Sequence, residues 1–249
     1  MLELNRISAG YGKQTVLDGI SVDFEKGKLT SIIGVNGCGK STLLKAILGI
    51  LSLSSGEIFI DGENLLTISR NEIAKKIAYL SQGKNIPDMT VEQMVLHGRF
   101  PYLSYPRRYS SHDREVAIKA METVGVAEFA HKPLYSLSGG MRQNAYIAMA
   151  LAQDTDYILL DEPTTYLDIA HQLELMRILR KLADSGKGIV TVLHNLPIAF
   201  DFSDKLTVMS NSKIIVYGTP SEICESHIVE DIFGVKIKQV QKGKYLYEY

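Results

Sequence analysis

A glycine-rich stretch that ends in Lys-Ser-Thr, residues 34–42, carries the clearest chemistry in this sequence. It fits the pattern G-x-x-x-x-G-K-[ST], and it lies between an apolar run (29–33) and a helix-forming run (43–48). In such a loop the backbone N–H groups and the helix N-terminus point at phosphate oxygens. Lys40 would then reach the β- and γ-phosphates of a nucleoside triphosphate, and the Ser41 hydroxyl would hold Mg²⁺. The predicted nucleotide-binding residues of the loop are Gly34, Asn36, Gly37, Cys38, Gly39, Lys40, Ser41 and Thr42.

Two adjacent carboxylates end a second apolar run, residues 158–160, and Pro163 follows them. In phosphate-loop ATPases a strand of this kind forms the second nucleotide motif. Asp161 would bind Mg²⁺ through water, and Glu162 would polarise the attacking water. The pair therefore indicates a site that hydrolyses the nucleotide as well as binding it.

A third motif, Ser138-Gly139-Gly140, opens a predicted helix that runs to about Ala152. Serine is a favoured N-cap residue, and the two glycines leave the first backbone amides accessible at the positive end of the helix. Such a helix start is suited to an anion.

The elements that must position these motifs alternate between strand and helix. The predicted strands are residues 2–7, 20–24, 29–33, 57–62, 77–80, 157–160, 188–193, 206–209 and 213–217, with a turn at 54–56. From about Pro87 to Ala152 the pattern is helical, with a capping box at Thr90 and Gln93 and an amphipathic helix over 112–124. A later helix has apolar residues at helical spacing, namely Ile169, Leu173, Met176, Leu179 and Leu182. This order predicts an α/β fold with a mostly parallel sheet, helices on both faces, and an inserted helical subdomain.

Composition narrows the class of protein further. The 249 residues are enough for a full α/β core, and the formal charge of −1 gives no support for a nucleic-acid partner. The two cysteines, Cys38 and Cys224, match no metal spacing and indicate a reduced, cytosolic compartment. The N-terminus does not have the pattern of a signal peptide, and no run approaches about 18 uncharged apolar residues. We therefore expect any membrane role to come through a partner chain.

Together with Gln82 and His194, these motifs occur in an order typical of one family. The chain resembles the nucleotide-binding subunits of ABC transporters over essentially its whole length. The resemblance implies a single domain over 1–249, made of a RecA-like phosphate-loop ATPase core with an antiparallel β subdomain (1–86 and 153–249) and an inserted α-helical subdomain (87–152). It also implies that ATP and Mg²⁺ bind, and that two copies form a dimer. In that dimer the γ-phosphate of ATP held by one copy is bound by three residues of the other, Ser138, Gly139 and Gly140.

The resemblance further implies roles for single residues. Tyr11 matches the aromatic residue that stacks on adenine, and Gln82 matches the glutamine that contacts Mg²⁺ and water and senses the helical insert. His194 matches the switch histidine at the γ-phosphate, and Asp168 lies in the loop that couples the two ATP sites. For His171 no comparable role is expected, and it is predicted to lie on a helix surface. The implied catalytic residues are Glu162, His194, Gln82 and Lys40, and the implied metal ligands are Ser41, Gln82 and Asp161.

Met141 departs from the family pattern, which usually has glutamine at this position. The position is N3 relative to Ser138, so a glutamine could close a capping box and a methionine cannot. We expect a modest weakening of this cap or of the contact between subunits, with activity retained.

Several segments resemble a narrower group, the ATPases of iron-siderophore, haem and cobalamin importers. The segments are 98–101, 107–109, 113–114, 148–154 and 161–172, whereas Leu-His-Asn-Leu at 193–196 replaces the Leu-His-Asp-Leu that is frequent in the group. This implies a cytoplasmic ATPase subunit on the inner face of the cell membrane, with permease subunits and an extracytoplasmic substrate-binding protein as partners. Importers of molybdate and other metal oxyanions share much of the pattern. A non-transport ABC ATPase, for example in iron–sulfur assembly, is an alternative of another class.

Residues 82–109 are the candidate permease contact, because they join Gln82 to an aromatic loop. Exposed aromatic side chains in that loop would fit local packing equally well.

Overall fold

Strands and helices alternate along the chain, and the computed structural model describes residues 1–83, 86–241 and 243–248. Residues 84–85, which fall in the candidate permease contact, lie outside the described residues. The strands are β1 (Leu2–Tyr11), β2 (Gln14–Phe24), β3 (Leu29–Gly34), β4 (Leu53–Ile60), β5 (Glu63–Asn64), β6 (Ile77–Leu80), β7 (Tyr157–Asp161), β8 (Gly188–Val192), β9 (Lys205–Ser210), β10 (Lys213–Gly218), β11 (Lys236–Gln241) and β12 (Lys244–Glu248). The α-helices are α1 (Lys40–Ile47), α2 (Arg70–Lys76), α3 (Val91–His97), α4 (Ser111–Thr123), α5 (Gly139–Ala152), α6 (Ile169–Asp184), α7 (Leu196–Phe202), α8 (Pro220–Glu225) and α9 (Ile228–Phe233).

The central sheet has the strand order β10-β9-β3-β8-β7-β6, and all its pairs are parallel except the pair of β9 with β10. This confirms the predicted mostly parallel sheet. Neighbouring strands also end in register, since Asp161 of β7 pairs with Val192 of β8. The segments that follow β3, β6, β7 and β8 therefore meet at one edge of the sheet, which is where open α/β sheets place their ligands.

A second sheet is antiparallel, with the order β2-β1-β4-β5. The turn predicted at residues 54–56 is wrong, because these residues lie inside β4. The pairing of β1 with β4 shifts register between Asn5 and Ser8. The polar residues 54–56 therefore lie at an irregular point of β4 and do not end the strand. Gly56 has a φ of +86°, and a Cβ there would lie 2.5 Å from the carbonyl oxygen of Arg6. Glycine is therefore required at position 56 by the close approach of the neighbouring strand and by its positive φ, and not by a turn.

The central sheet separates two apolar cores. One core joins the antiparallel sheet and α1 to side chains such as Ile32 and Val190. The other core joins α3, α4, α5, α6 and α7 to side chains on the other face of the central sheet, such as Ile33 and Ile189. Successive residues of a buried parallel strand point to opposite faces, so β3 and β8 serve both cores.

The helical stretch begins as the sequence predicts. Thr90 and Gln93 form the expected capping box at the start of α3, and Ser138 caps α5. Helices α3, α4 and α5 contact one another and share a core. The division of the chain at residues 87 and 152 stays a prediction.

Candidate nucleotide-binding and hydrolysis site

The phosphate loop joins the end of β3 to the first residue of α1 and passes very close to other backbone. A Cβ on Gly34 would lie 2.3 Å from the carbonyl oxygen of Met209, and a Cβ on Gly39 would lie 2.9 Å from that of Val16. Gly39 also has a φ of +106° as the N-cap of α1. The glycines are therefore required by both space and conformation. A cavity of about 160 Å³ lies over the loop, lined by Val16, Asn36, Gly37, Gly39, Lys40, Ser41, Thr42 and Glu162.

Lys40 is buried at this cavity, with only 6% of its surface exposed. Its Nζ donates to the carbonyl oxygens of Gly34 and Val35 over 2.8 and 3.0 Å. The two carbonyl groups accept two of the three N–H donors of the ammonium, and in the part of the chain that the structure describes no carboxylate forms an ion pair with it. A buried, uncompensated cation is costly, so the geometry favours binding of an anion beside Lys40.

The carboxylate of Asp161 lies beside α1. The Ser41 hydroxyl donates to Asp161 Oδ1 over 2.9 Å, and the Tyr79 hydroxyl donates to Oδ2 over 3.3 Å. Burial raises the pKa of Asp161, and the nearby charge of Glu162 raises it further, whereas the bonds from Ser41 and Tyr79 act in the opposite direction. A cation at this position would therefore stabilise the ionised form. Sequence reasoning missed Tyr79, although its strand β6 pairs with β7.

These oxygen ligands fit Mg²⁺. Magnesium usually takes one or two protein ligands of this kind and completes its shell with water and substrate phosphates. Ser41 and Asp161 supply a hydroxyl and a carboxylate, and Gln82, whose Nε2 is bonded elsewhere, supplies an amide Oε1. Among the described residues no group of three or more His, Cys, Asp and Glu could hold a metal.

Three side chains contact the carboxylate of Glu162, which lines the phosphate cavity. Its Oε1 lies 2.5 Å from Nε2 of His194, and its Oε2 accepts from Nε2 of Gln82 over 2.8 Å. Thr165 donates to Oε2 over 3.3 Å. Glu162 has a φ of +52°, a conformation that is uncommon for a residue with a Cβ. The strained backbone and the fixed carboxylate together place a proton acceptor beside the phosphate loop.

Tyr11 is not among the residues that line the phosphate cavity. It ends β1, is half exposed, and belongs to the β1–β2 hairpin that contacts α1. Burial raises the pKa of Tyr79, and the nearby carboxylate of Asp161 raises it further. An exposed aromatic ring can stack on a base, and the stacking of Tyr11 on adenine stays a prediction.

Ser138, Gly139 and Gly140 are not among the residues that line the phosphate cavity. Ser138 Oγ accepts from the backbone N–H of Met141 over 3.3 Å, so the serine caps α5 as predicted. Gly139 lines a separate cavity together with Thr165, Tyr166 and Leu167. The chain therefore does not bring this helix start to its own phosphate loop.

Asp168 is joined to His171 instead. Its Oδ1 accepts from the backbone N–H of His171 over 2.9 Å, and its Oδ2 lies 2.8 Å from Nδ1 of the same residue. These bonds, first the backbone one and then the side-chain one, lower the pKa of Asp168. His171 is predicted to lie on a helix surface. Its ring is partly exposed, as that prediction requires, but it also packs against Gly140.

Three of the five segments that resemble the narrower importer group, residues 98–101, 113–114 and 148–154, meet around Arg99. Its Nε donates to Asp113 Oδ1 over 2.9 Å, and its Nη1 donates to the carbonyl oxygen of Ala152 over 2.9 Å. Tyr102 places its ring 4.1 Å from the guanidinium carbon and donates to the carbonyl oxygen of Gln153. This cluster links the aromatic loop to the first turn of α4 and the last turn of α5.

The fold and this site define a phosphate-loop ATPase. The sequence pattern of ABC transporters matches residues 17–165, more than half of the chain. The chain belongs to the ABC transporter family, whose ATP-binding proteins hydrolyse ATP to drive transport, and it is accordingly an ATPase that binds ATP.

Several similar proteins are the ATP-binding proteins of transport systems. The chain is 40% identical to the petrobactin import ATP-binding protein FpuD of Bacillus anthracis, over 94% of this chain and 87% of that protein. It is 39% identical to the ferric enterobactin transport ATP-binding protein FepC of Escherichia coli K12, over 93% and 86%. The dimeric structure of MJ0796, a bacterial ABC transporter cassette, superposes with a TM-score of 0.76 at 27% identity, over 88% of this chain and 99% of that one. Among the described residues no helix has the length and apolar character needed to cross a membrane.

Proposed function

We propose that this chain is the ATP-hydrolysing subunit of an importer for iron chelates, which acts on the cytoplasmic face of a membrane through a separate permease. The fixed carboxylate of Glu162 at the phosphate cavity carries the hydrolytic part of the proposal. The substrate class is supported by the relatives at 39–40% identity, which are named for petrobactin and ferric enterobactin. The residues around Arg99 add to this, because they belong to the segments typical of that group.

In the proposed mechanism the phosphate loop binds the triphosphate of ATP through its amides, and Lys40 neutralises the β- and γ-phosphates. Ser41, Asp161 and Gln82 would hold Mg²⁺, which supplies charge neutralisation at the phosphate oxygens. Glu162 accepts a proton from the attacking water, and Gln82 and His194 keep its carboxylate aimed at the cavity. Tyr11 would stack on the adenine.

A second copy completes the site. Since Ser138–Gly140 do not line the phosphate cavity of their own chain, the amides of this helix start are available to the γ-phosphate held by another copy. The dimeric cassette among the structural relatives supports this arrangement. Closure of the dimer on ATP would then be transmitted to the permease, and an extracytoplasmic protein would deliver the substrate.

The Glu162→Gln variant tests the hydrolytic part. The amide keeps the shape of the side chain but cannot accept the proton, so ATP turnover should fall by about 100-fold or more while ATP binding persists. Binding without turnover should also favour an ATP-bound dimer, which size-exclusion chromatography with light scattering detects. Turnover at the wild-type rate would contradict the role of Glu162.

Uptake tests the substrate class. Cells that lack the gene should lose uptake of ⁵⁵Fe-loaded siderophore, and the wild-type gene should restore it where Glu162→Gln does not. Loss of molybdate uptake with normal iron uptake would favour the oxyanion alternative. Purification without any multi-span membrane protein would favour a non-transport ATPase.

A further inference from the structure

His171 fills the space that a side chain at position 140 would need. A Cβ placed on Gly140 would lie 2.1 Å from Cδ2 of the imidazole and 2.8 Å from its Cγ and Nε2. Real Cβ atoms do not approach other atoms so closely, so the ring and the glycine are matched to each other. The first turn of α5 is therefore in direct contact with the first turn of α6.

The opposite side of the same ring holds Asp168. Nδ1 of His171 lies 2.8 Å from Asp168 Oδ2, and the backbone N–H of His171 donates to Oδ1. Both oxygens of the carboxylate are thus bound by one residue. The next residue, Gln172, donates from Nε2 to the carbonyl oxygen of Leu167 over 2.9 Å. The start of α6 consequently fixes residues 167–168 as well as the start of α5.

We infer that His171 is a positioning residue for ATP hydrolysis, which holds the anion-binding start of α5 and the Asp168 segment as one rigid unit facing a second copy of the chain. This inference rests on the proposed function, in which Ser138–Gly140 bind the γ-phosphate across the dimer. His171 itself does not line the phosphate cavity, so it acts through the residues that it holds. Since amides bind an oxyanion well only at the correct distance and direction, a shift of about 1 Å at the start of α5 is enough to slow turnover strongly.

The imidazole supplies two properties that can be separated by substitution. Its flat ring packs against a glycine, and its Nδ1 reaches the carboxylate at the N-cap. Phenylalanine keeps a ring but has no hydrogen-bonding group. Glutamine keeps a donor of suitable reach at N3 but has no ring.

The test measures ATP turnover by the purified full-length chain, together with direct binding of a fluorescent ATP analogue. His171→Ala should lower kcat by about ten-fold and leave the affinity for the analogue unchanged, because the phosphate loop is intact and only closure is affected. His171→Phe and His171→Gln should each restore part of kcat. Glu174→Ala, an exposed position one turn further along α6, is the control and should behave like wild type.

A double-mutant cycle with Gly140→Ala tests the contact itself. The added methyl group should lower kcat strongly when the ring is present and less when position 171 is alanine, because the ring is what it strikes. A kcat of His171→Ala within about two-fold of wild type, or an equal effect of Gly140→Ala in both backgrounds, would overturn the inference. A wild-type chain that neither bound the analogue nor hydrolysed ATP would instead contradict the proposed function, and the inference would fall with it.

Discussion

Nε2 of His194 lies 2.5 Å from Oε1 of Glu162, although the two residues are 32 positions apart in the chain (194 − 162). The contact exists because β7 and β8 are neighbours in the parallel sheet and end in register. Each residue follows the last position of its strand by one or two residues. Glu162 is thereby oriented by the adjacent strand, while Gln82 binds its other oxygen.

Removal of this contact should slow hydrolysis without affecting binding. For His194→Ala we expect a loss of ATP turnover of about 10- to 100-fold, since the carboxylate loses one of its orienting partners. Binding of a fluorescent ATP analogue should remain, because the phosphate loop is unchanged. His112→Ala is a matched control on the exposed side of α4. Wild-type turnover in His194→Ala would show that Gln82 and Thr165 suffice to orient Glu162.

Met141→Gln should change ATP turnover by less than about three-fold, because the two effects of the substitution oppose each other. Glutamine could close the capping box at Ser138, where the structure has only the bond from the backbone N–H of residue 141. The methionine side chain, however, packs against the apolar core, and the polar substitute would lose part of that contact. Steady-state turnover of the two proteins decides the question. A many-fold rise would show that methionine impairs the site.

Asp113→Ala should reduce the free energy of unfolding by about 3 kcal/mol, because it leaves the guanidinium of Arg99 buried without its anion. Arg99 and Asp113 are 5% and 7% exposed. Urea denaturation measures the change. Asp184→Ala removes an exposed partner of Arg180 and should cost less than about 1 kcal/mol. Equal losses in the two variants would contradict the importance of burial at Arg99.

The stabilisation of the folded state that Asp113 contributes should be lost only at unusually low pH. Burial alone would raise its pKa, but hydrogen bonds from Ser110 and the charge of Arg99 lower it to about 2. A carboxyl whose pKa is lowered by folding stabilises the folded state above its ordinary pKa of about 4, and that stabilisation is lost as the pH falls toward 2. The difference in stability between wild type and Asp113→Asn should therefore be constant above pH 5 and shrink below pH 4. A difference that stayed constant down to pH 2 would contradict the lowered pKa.

Tyr105→Ser should impair transport and spare basal ATP hydrolysis. The side chain is 96% exposed in the aromatic loop, whereas Tyr102 is bonded to Gln153. Local packing therefore accounts for Tyr102 but not for Tyr105, which leaves Tyr105 suited to a contact with the permease. Siderophore uptake in cells and ATP turnover of the purified chain are the two measurements. Tyr135→Ser, at an exposed position outside residues 82–109, is the control, and full uptake by Tyr105→Ser would defeat the proposal.

Local patterns predicted much of the fold because they report on local physics. The apolar runs of β3, β7 and β8 are buried over their full length, and the capping box of α3 satisfies amides within four residues. The predicted turn at 54–56 failed because the need for glycine at position 56 comes from the backbone of Arg6, across the sheet. Helix α2, which begins after Ser69, was missed because seven residues offer too little periodicity.

The amino-acid sequence by itself determined which groups are present for the chemistry: a loop that binds phosphate, two carboxylates at a strand end, and a helix start with free amides. The tertiary structure decided which of these groups meet. Register in the parallel sheet brings Glu162 to His194 and Gln82, whereas the close approach of His171 to Gly140 joins the first turns of α6 and α5. Neither Gly140 nor His171 lines the phosphate cavity of the same chain. Contacts of this kind depend on distances between segments far apart in the chain, and no local pattern of residues encodes them.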